Sequence, residues 1–440
     1  MNKRISELVE QTPFVDTHEH LIEESQRLSG RLEDLAFPLF ACNDWAYLFM
    51  QYLGDDLYNS GMPTAPDYER FFSPTGSAED KYRLVAPYWE RCRHTGYAQA
   101  VRRTLRKLYG EDDLTAASAP RIAQKYRAMI KPGFYRKILC DLSNIESCQV
   151  NSLQRTFFET EQPDLLPQDL SIRRLGRCSA QDLDVIESES GKRPKTLGGW
   201  LDLIDWHFAT YGPRAVAVKC PNAYVRRLDY QFVPRARVEV FYKRQASGYV
   251  IGHDDSKSLN DYLFRYCLTK ATEHGLPVKL HTGTYGGRDF LPLERTRHNA
   301  TDVGILLKDY PDTKFVLMHI GYPYQDEFLA LGKQYHNAYI DMCWTWIMNP
   351  AVGVRFLKEF LVAVPVNKIF TFGGDYIAVE TVYGHSEIAR QGITQAISEL
   401  VAEGWVALEE TPDIIERIMR ANAGTVFPKA KNTVRQSAGS

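Results

Sequence analysis

Residues 257–283 read KSLNDYLFRYCLTKATEHGLPVKLHTG. The first nineteen carry apolar side chains at helical spacing and stop at Gly275. The next eight, LPVKLHTG, form a short apolar run ending in a histidine. Helix-then-strand is one step of an alternating rhythm, and the rhythm extends both ways. TLGGWLDLIDWHFATYG (196–212) predicts a helix before the strand AVAVKC (215–220). ATDVGILLKDYPD precedes KFVLMHIGYP (314–323), YQDEFLALGKQYHN precedes AYIDMCW (338–344), and AVGVRFLKEFLVAVP precedes KIFTFGGDY (368–376). Such alternation implies an α/β fold with a parallel sheet, either open and doubly wound or closed into a barrel.

The chemistry-bearing residues gather at the ends of these strands. FVDTHEHLIEES (14–25) begins with a predicted strand, and on a strand residues i and i+2 share a face. His18 and His20 therefore form a pair at its C-terminal end. Lys219, His281, His319 and Asp375 end, or nearly end, four later strands. Nitrogen and oxygen donors on rigid strands suit a borderline divalent metal. Each residue also has a plain alternative: core histidines for His281 and His319, a turn aspartate for Asp375, an ion pair for Lys219. The joint placement favours a metal site. The other seven histidines read as solvated or structural, with His94, His207, His274 and His336 in or beside helices and His253, His298 and His385 in loops.

Residues 26–137 interrupt the rhythm. Helical segments such as CNDWAYLFMQYLGDDLY and YWERCRHTGYAQAVRRTLRKLYG are separated by NSGMPTAP and SPTGSAED. We read an N-terminal helix with strand 1 (1–25), a helical insertion or cap (26–137), the rest of the α/β body (138–430), with ESESGKRPK (187–195) as an exposed loop, and a frayed tail (431–440). The formal charge of −2 offers no basic surface for nucleic acid, and no apolar run is long enough to span a bilayer. The start lacks the apolar core of a signal peptide. Eight cysteines without a CxxC read as reduced, mostly buried thiols. Together these predict a cytoplasmic enzyme for a small molecule, with a homo-oligomer compatible.

The motifs DTHEH, KLHTG, MHIGYP and FGGDY resemble those of the amidohydrolase superfamily. VAVKCPNAYVRRL, HTGTYGGRD and ERIMRANAGTVF add a closer likeness to its amidohydrolase 2 branch, including the domain fused to glutamine synthetase in nodulin-like proteins. The insertion after strand 1 is loosely similar to that of uronate isomerases. The resemblance covers about 14–25 and 200–427. It implies a metal-dependent hydrolase (β/α)8 TIM barrel with a helical insertion after strand 1. It implies one or two divalent ions, zinc foremost, held by His18, His20, His281 and Asp375, with Lys219 (if carboxylated) and His319 joining in a binuclear site. Asp375 and His319 become the catalytic candidates, Asp375 moving protons. Arg226, Arg227 and Arg288 follow the ends of strands four and five and are candidates for binding a substrate carboxylate; surface ion pairs are the alternative for each. Tyr322 is a candidate at the oxyanion; Trp344 and Trp346 either wall the pocket or belong to the core. The leading function is hydrolysis of a C–N or C–O bond in a small carboxylated molecule. Uronate isomerisation or decarboxylation on the same scaffold is the second reading. A barrel without metal that acts as a binding protein is the third.

Overall fold

The computed structural model describes residues 2–30, 44–62 and 67–429, except for the side chain of Ala180. Cys42, parts of the 26–137 insertion and the 431–440 tail lie outside them. The chain divides into two compact units. The first comprises Met1–Gln154, Tyr285–Leu291 and Met342–Ala423, and the second comprises Arg155–Thr284, Pro292–Asp341 and Gly424–Ser440. The insertion shares the first unit with strand 1 and the last strand.

In the first unit, β1 (Phe14–Glu19) pairs in parallel with β2 (Ile145–Val150). β1 is buried throughout, as a strand covered on both faces must be. On its other side it bonds the stretch after β8 (Ile369–Phe370): Thr17 N–H donates to the Phe372 carbonyl, and Asp375 N–H donates to the His18 carbonyl. Arg390, on the long helix Val379–Ala402, fixes the start of β1 by donating to the carbonyls of Thr12, Ser143 and Asn144. Its guanidinium also lies over the Phe14 ring.

The insertion is helical where it is described. The expected continuous helix over 42–58 breaks into Trp45–Phe49 and Tyr52–Asn59 at Gln51, whose φ is 67°. The expected helix over 88–110 breaks between Ala78–Cys92 and Gly96–Thr104. These pieces share a core of their own, in which Trp45, Phe49, Phe71 and Trp89 pack edge to face. Arg27, fully buried, makes two hydrogen bonds to Glu380 and lies 4.4 Å from the Tyr47 ring centroid.

In the second unit, β3 (Leu170–Ser171), β4 (Val218–Cys220), β5 (Val278–Leu280), β6 (Phe315–Met318) and β7 (Ala338–Asp341) form a parallel sheet in that order. Helices Leu197–Tyr211, His253–Glu273, Asn299–Asp309 and Gln325–Gln334 alternate with them, as the periodicity predicts. The strands are shorter than expected, so His281 and His319 fall in the turn just past each strand. The loop expected over 187–195 is half helix: Ala180–Ser190 runs to a left-handed Gly191. The seven described cysteines are free, and all but Cys140 are buried. Among the described residues, no helix is long and apolar enough to cross a membrane.

Candidate active site

The first unit brings three of the expected ligands together. His18 Nε2 and His20 Nε2 each lie 3.2 Å from the same oxygen, Asp375 Oδ1. The shared-face argument for the HxH pair is thus realised, with His18 inside β1 and His20 one residue past it. His20 Nδ1 is 2.8 Å from the Asn151 carbonyl. A carbonyl only accepts, so that nitrogen carries the proton and Nε2 presents its lone pair toward Asp375. Two imidazoles and a carboxylate, with ligand atoms within 4.8 Å of one another, fit a small divalent cation in donor type and spacing.

The turn carrying Asp375 is built for close approach. A Cβ on Gly374 would sit 1.9 Å from Glu19 Oε1, and one on Gly373 would sit 2.8 Å from Cys343 Cβ. The GGD sequence thus lets the turn close against β1. Asp375 itself has φ 60°, a strained conformation for a residue with a side chain. Its carbonyl is held from the insertion by Gln51 Nε2 (2.6 Å) and the Tyr52 hydroxyl (2.7 Å). Tyr52 stacks on Trp344, centroid to centroid 4.5 Å. Trp344 is buried with φ 67°. Trp346 is a core residue, packed on Gly353 and Gly392 with its indole N–H on the Thr371 carbonyl.

Glu19, Gln51 and Tyr52 escaped the sequence reading. Glu19 sits between the two histidines and points away from them, accepting from Tyr376 N–H at 2.6 Å. Burial, then the neighbouring Asp16, hold its carboxyl well above the usual range. The alternation of DTHEH already placed Glu19 opposite the histidines. Gln51 and Tyr52 left no such signal, because their partner is more than 320 residues away.

In the second unit, His281 and His319 meet. His281 Nε2 is 2.9 Å from the Thr284 carbonyl, and His281 Nδ1 is 3.0 Å from His319 Nε2. The carbonyl fixes the proton on His281 Nε2, so His319 Nε2 donates to His281 Nδ1. Both ring nitrogens of His281 are thereby engaged, and a ligand role requires one contact to be given up. His319, Ile320 and Gly321 have φ of 63°, 50° and 66°, a left-handed run that stores strain at the end of β6. Gly283 is required here, since its Cβ would lie 2.6 Å from the Tyr322 carbonyl oxygen. Tyr322 is half-buried beside it. Lys219 lies within β4, buried, in register with Ser171 and Lys279. The neighbouring Lys279 ammonium is held by both oxygens of Asp169.

The three arginines separate. Arg226 is bound to Asp261 (2.5 Å) and lies over the Tyr230 ring, and Arg227 makes a two-pronged contact with Asp302 (2.7 and 3.2 Å). For these two the ion-pair alternative describes the structure. Arg288 is different, stacked between Tyr68 and Tyr58. Three histidines expected in loops belong to helical regions: His253 opens His253–Glu273, His298 joins Leu293–Arg297 to the next helix, and His385 lies within Val379–Ala402. His385 is fully buried against Phe372 and Tyr376, and burial pushes its imidazole down to about 3.

The His18–His20–Asp375 cluster beside parallel strands is a candidate metal centre on an α/β fold, and known proteins resemble the chain in part of its sequence and in its fold. Residues 222–429 match the family model described as amidohydrolase. The structure is similar to glucuronate isomerase from Caulobacter crescentus (TM-score 0.74, 14% identity, 97% of this chain and 93% of that one). It is also similar to uronate isomerase from Thermotoga maritima (0.73, 14%, 96% and 96%) and to a protein described as a metal-dependent hydrolase from Lactobacillus casei ATCC 334 (0.65, 16%, 97% and 98%). In sequence, 179 residues are 26% identical to Protein fluG of Emericella nidulans, covering 39% of this chain and only 20% of that protein. The family match covers a little under half of the chain, and the solved structures share its fold, a TIM barrel, over nearly its whole length.

Proposed function

We propose that this chain is a metal-dependent hydrolase that cleaves a C–N or C–O bond of a small carboxylated substrate, using one divalent ion, zinc foremost, held by His18, His20 and Asp375. The observation that carries the reading is the shared 3.2 Å approach of both imidazoles to Asp375 Oδ1 in a buried setting. The ion, when bound, lowers the pKa of water toward 7 and polarises a substrate carbonyl. Asp375 takes the proton of the attacking water and hands it to the leaving atom. Gln51 and Tyr52 hold the Asp375 carbonyl and so keep its carboxylate aimed. His281 is proposed as a further ligand on the family resemblance alone, and His319 and Tyr322 as groups facing the developing oxyanion. Lys219 joins them only if carboxylated, which would add a second ion; metal analysis with bicarbonate, before and after Lys219→Ala, counts it.

A second reading is aldose–ketose isomerisation of a uronate, with Asp375 moving a proton between adjacent carbons. The likeness to uronate isomerases runs through nearly the whole chain, the insertion included, which favours this reading over decarboxylation. The test is a panel on zinc-loaded protein: N-acyl amino acids and lactones against D-glucuronate and D-galacturonate. Turnover of an amide or lactone that is lost in Asp375→Asn supports hydrolysis. Turnover of a uronate alone establishes the isomerase, and no turnover with no metal uptake contradicts both.

A further inference from the structure

The ladder between β1 and β2 bulges beside the histidine pair. Asp16 pairs with Cys148 and Glu19 with Val150, so Thr17 and His18 together oppose the single residue Gln149. Residues paired across parallel strands share a face, and the strands lie about 4.8 Å apart. Asp16, Glu19 and Cys148 take one face, where Glu19 and Cys148 both hydrogen-bond the Asp16 side chain. Gln149 is therefore on the other face with His18, one strand away from it. Asn151 continues that face two residues on. Its N–H donates to the Glu19 carbonyl, and its own carbonyl accepts from His20 Nδ1.

Gln149 is fully buried, and among the described residues neither its Oε1 nor its Nε2 has a hydrogen-bond partner. Other buried carboxamides keep at least one bond: Gln168 donates to the Leu166 carbonyl, Asn222 to the Tyr230 hydroxyl and Asn337 to the Leu307 carbonyl. Asn151 Oδ1, also buried, is a further acceptor without a partner. Polar atoms left so beside a candidate metal centre are costly unless something completes them. The set is uncharged and holds both a donor and acceptors. A carboxylate only accepts, so it leaves the two amide oxygens unanswered; a hydroxyl donates and accepts through one oxygen. We propose that Gln149 and Asn151 form a neutral subsite beside the ion that takes hydroxyl groups of the substrate. This rests on the metal reading above and deepens it: the substrate class is a hydroxylated lactone or sugar acid rather than an N-acyl amino acid.

The probes are D-gluconate and hexanoate, monocarboxylates of equal chain length that differ in their hydroxyls, titrated calorimetrically into protein loaded with zinc and freed of excess metal. Gluconate should bind roughly tenfold or more tightly than hexanoate. In Gln149→Leu, and in the unbranched Gln149→Met, that gap should shrink severalfold, with hexanoate affinity and zinc content unchanged. The melting temperature of both variants should hold or rise, because an apolar side chain leaves no buried polar atom unsatisfied. Asn151→Ala should narrow the gap as well. The subsite is overturned if the native protein binds gluconate and hexanoate alike, or neither. It is equally overturned if both Gln149 variants keep the ratio, above all with a lowered melting temperature, the mark of a carboxamide that serves the fold alone. A protein that takes up no zinc overturns the metal reading and the subsite with it, whereas zinc uptake with an unmoved ratio overturns the subsite alone.

Discussion

Asp375 is the residue on which both histidines and two insertion side chains converge. Replacing it with asparagine keeps the shape and removes the charge that, in the proposed site, would balance a dication and accept a proton. Asp375→Asn should lose most bound zinc and lower kcat/KM by about 10²–10⁴; metal analysis and steady-state kinetics check both. Asp55 offers a test by pH. Burial raises its carboxyl from the ordinary value to about 6, against the opposing pull of Gly287 N–H and Arg288. An acid raised in the fold binds its proton more tightly there than in the unfolded chain. Stability from this group therefore falls as pH rises from about 4 to about 6, and the cost stays above that. Asp55→Asn lacks the cost, so its stability relative to the native protein should improve by on the order of 1 kcal/mol across that window, discounted for partial exposure, and then stay level. Urea melts at pH 4, 5, 6 and 7 read this directly. At this scale the sequence was uneven. The HxH pair was legible because strand geometry alone puts i and i+2 together. Arg226 and Arg227 were not, because Asp261 and Asp302, which neutralise them, lie 35 and 75 residues further along the chain.

The alternation of elements was the most legible feature, since helices such as His253–Glu273 and Asn299–Asp309 carry their periodicity in local sequence. Strand lengths were not. The apolar runs continue past the last ladder bond into turns whose shape depends on neighbours. Those turns hold the candidate site residues: KLHTG, MHIGYP and FGGDY all run into glycine-bearing turns that bend sharply enough to present a side chain. β2 and β3 went unread, because IESCQV alternates weakly and β3 is only two residues long. The turn after β8 can be tested as a unit. In Gly374→Ala the new methyl would overlap the Glu19 carboxyl, and neither group has room to move within a buried β1. The turn should open, with stability falling by about 2–4 kcal/mol and zinc affinity falling at least tenfold while the helical circular dichroism signal is retained. Unchanged zinc affinity would mean that the turn does not position Asp375.

At the scale of the whole molecule, the chain joins a fold shared end to end with uronate isomerases to a sequence likeness confined to a fifth of Protein fluG. The fold therefore speaks for the scaffold, and the side chains must speak for the reaction. An ion bound to the native chain alone stabilises it by mass action, by about 2.7 kcal/mol when free metal is a hundred times its dissociation constant. Exhaustive dialysis against a chelator should lower the melting temperature by several degrees, and added zinc should restore it; Asp375→Asn should respond to neither. The most direct measurement is anomalous diffraction at the zinc edge from crystals of the zinc-loaded protein. The expected result is a peak about 2.0–2.2 Å from His18 Nε2, His20 Nε2 and an Asp375 oxygen together. A map with no peak among those three side chains, or with zinc bound only elsewhere, would contradict the account.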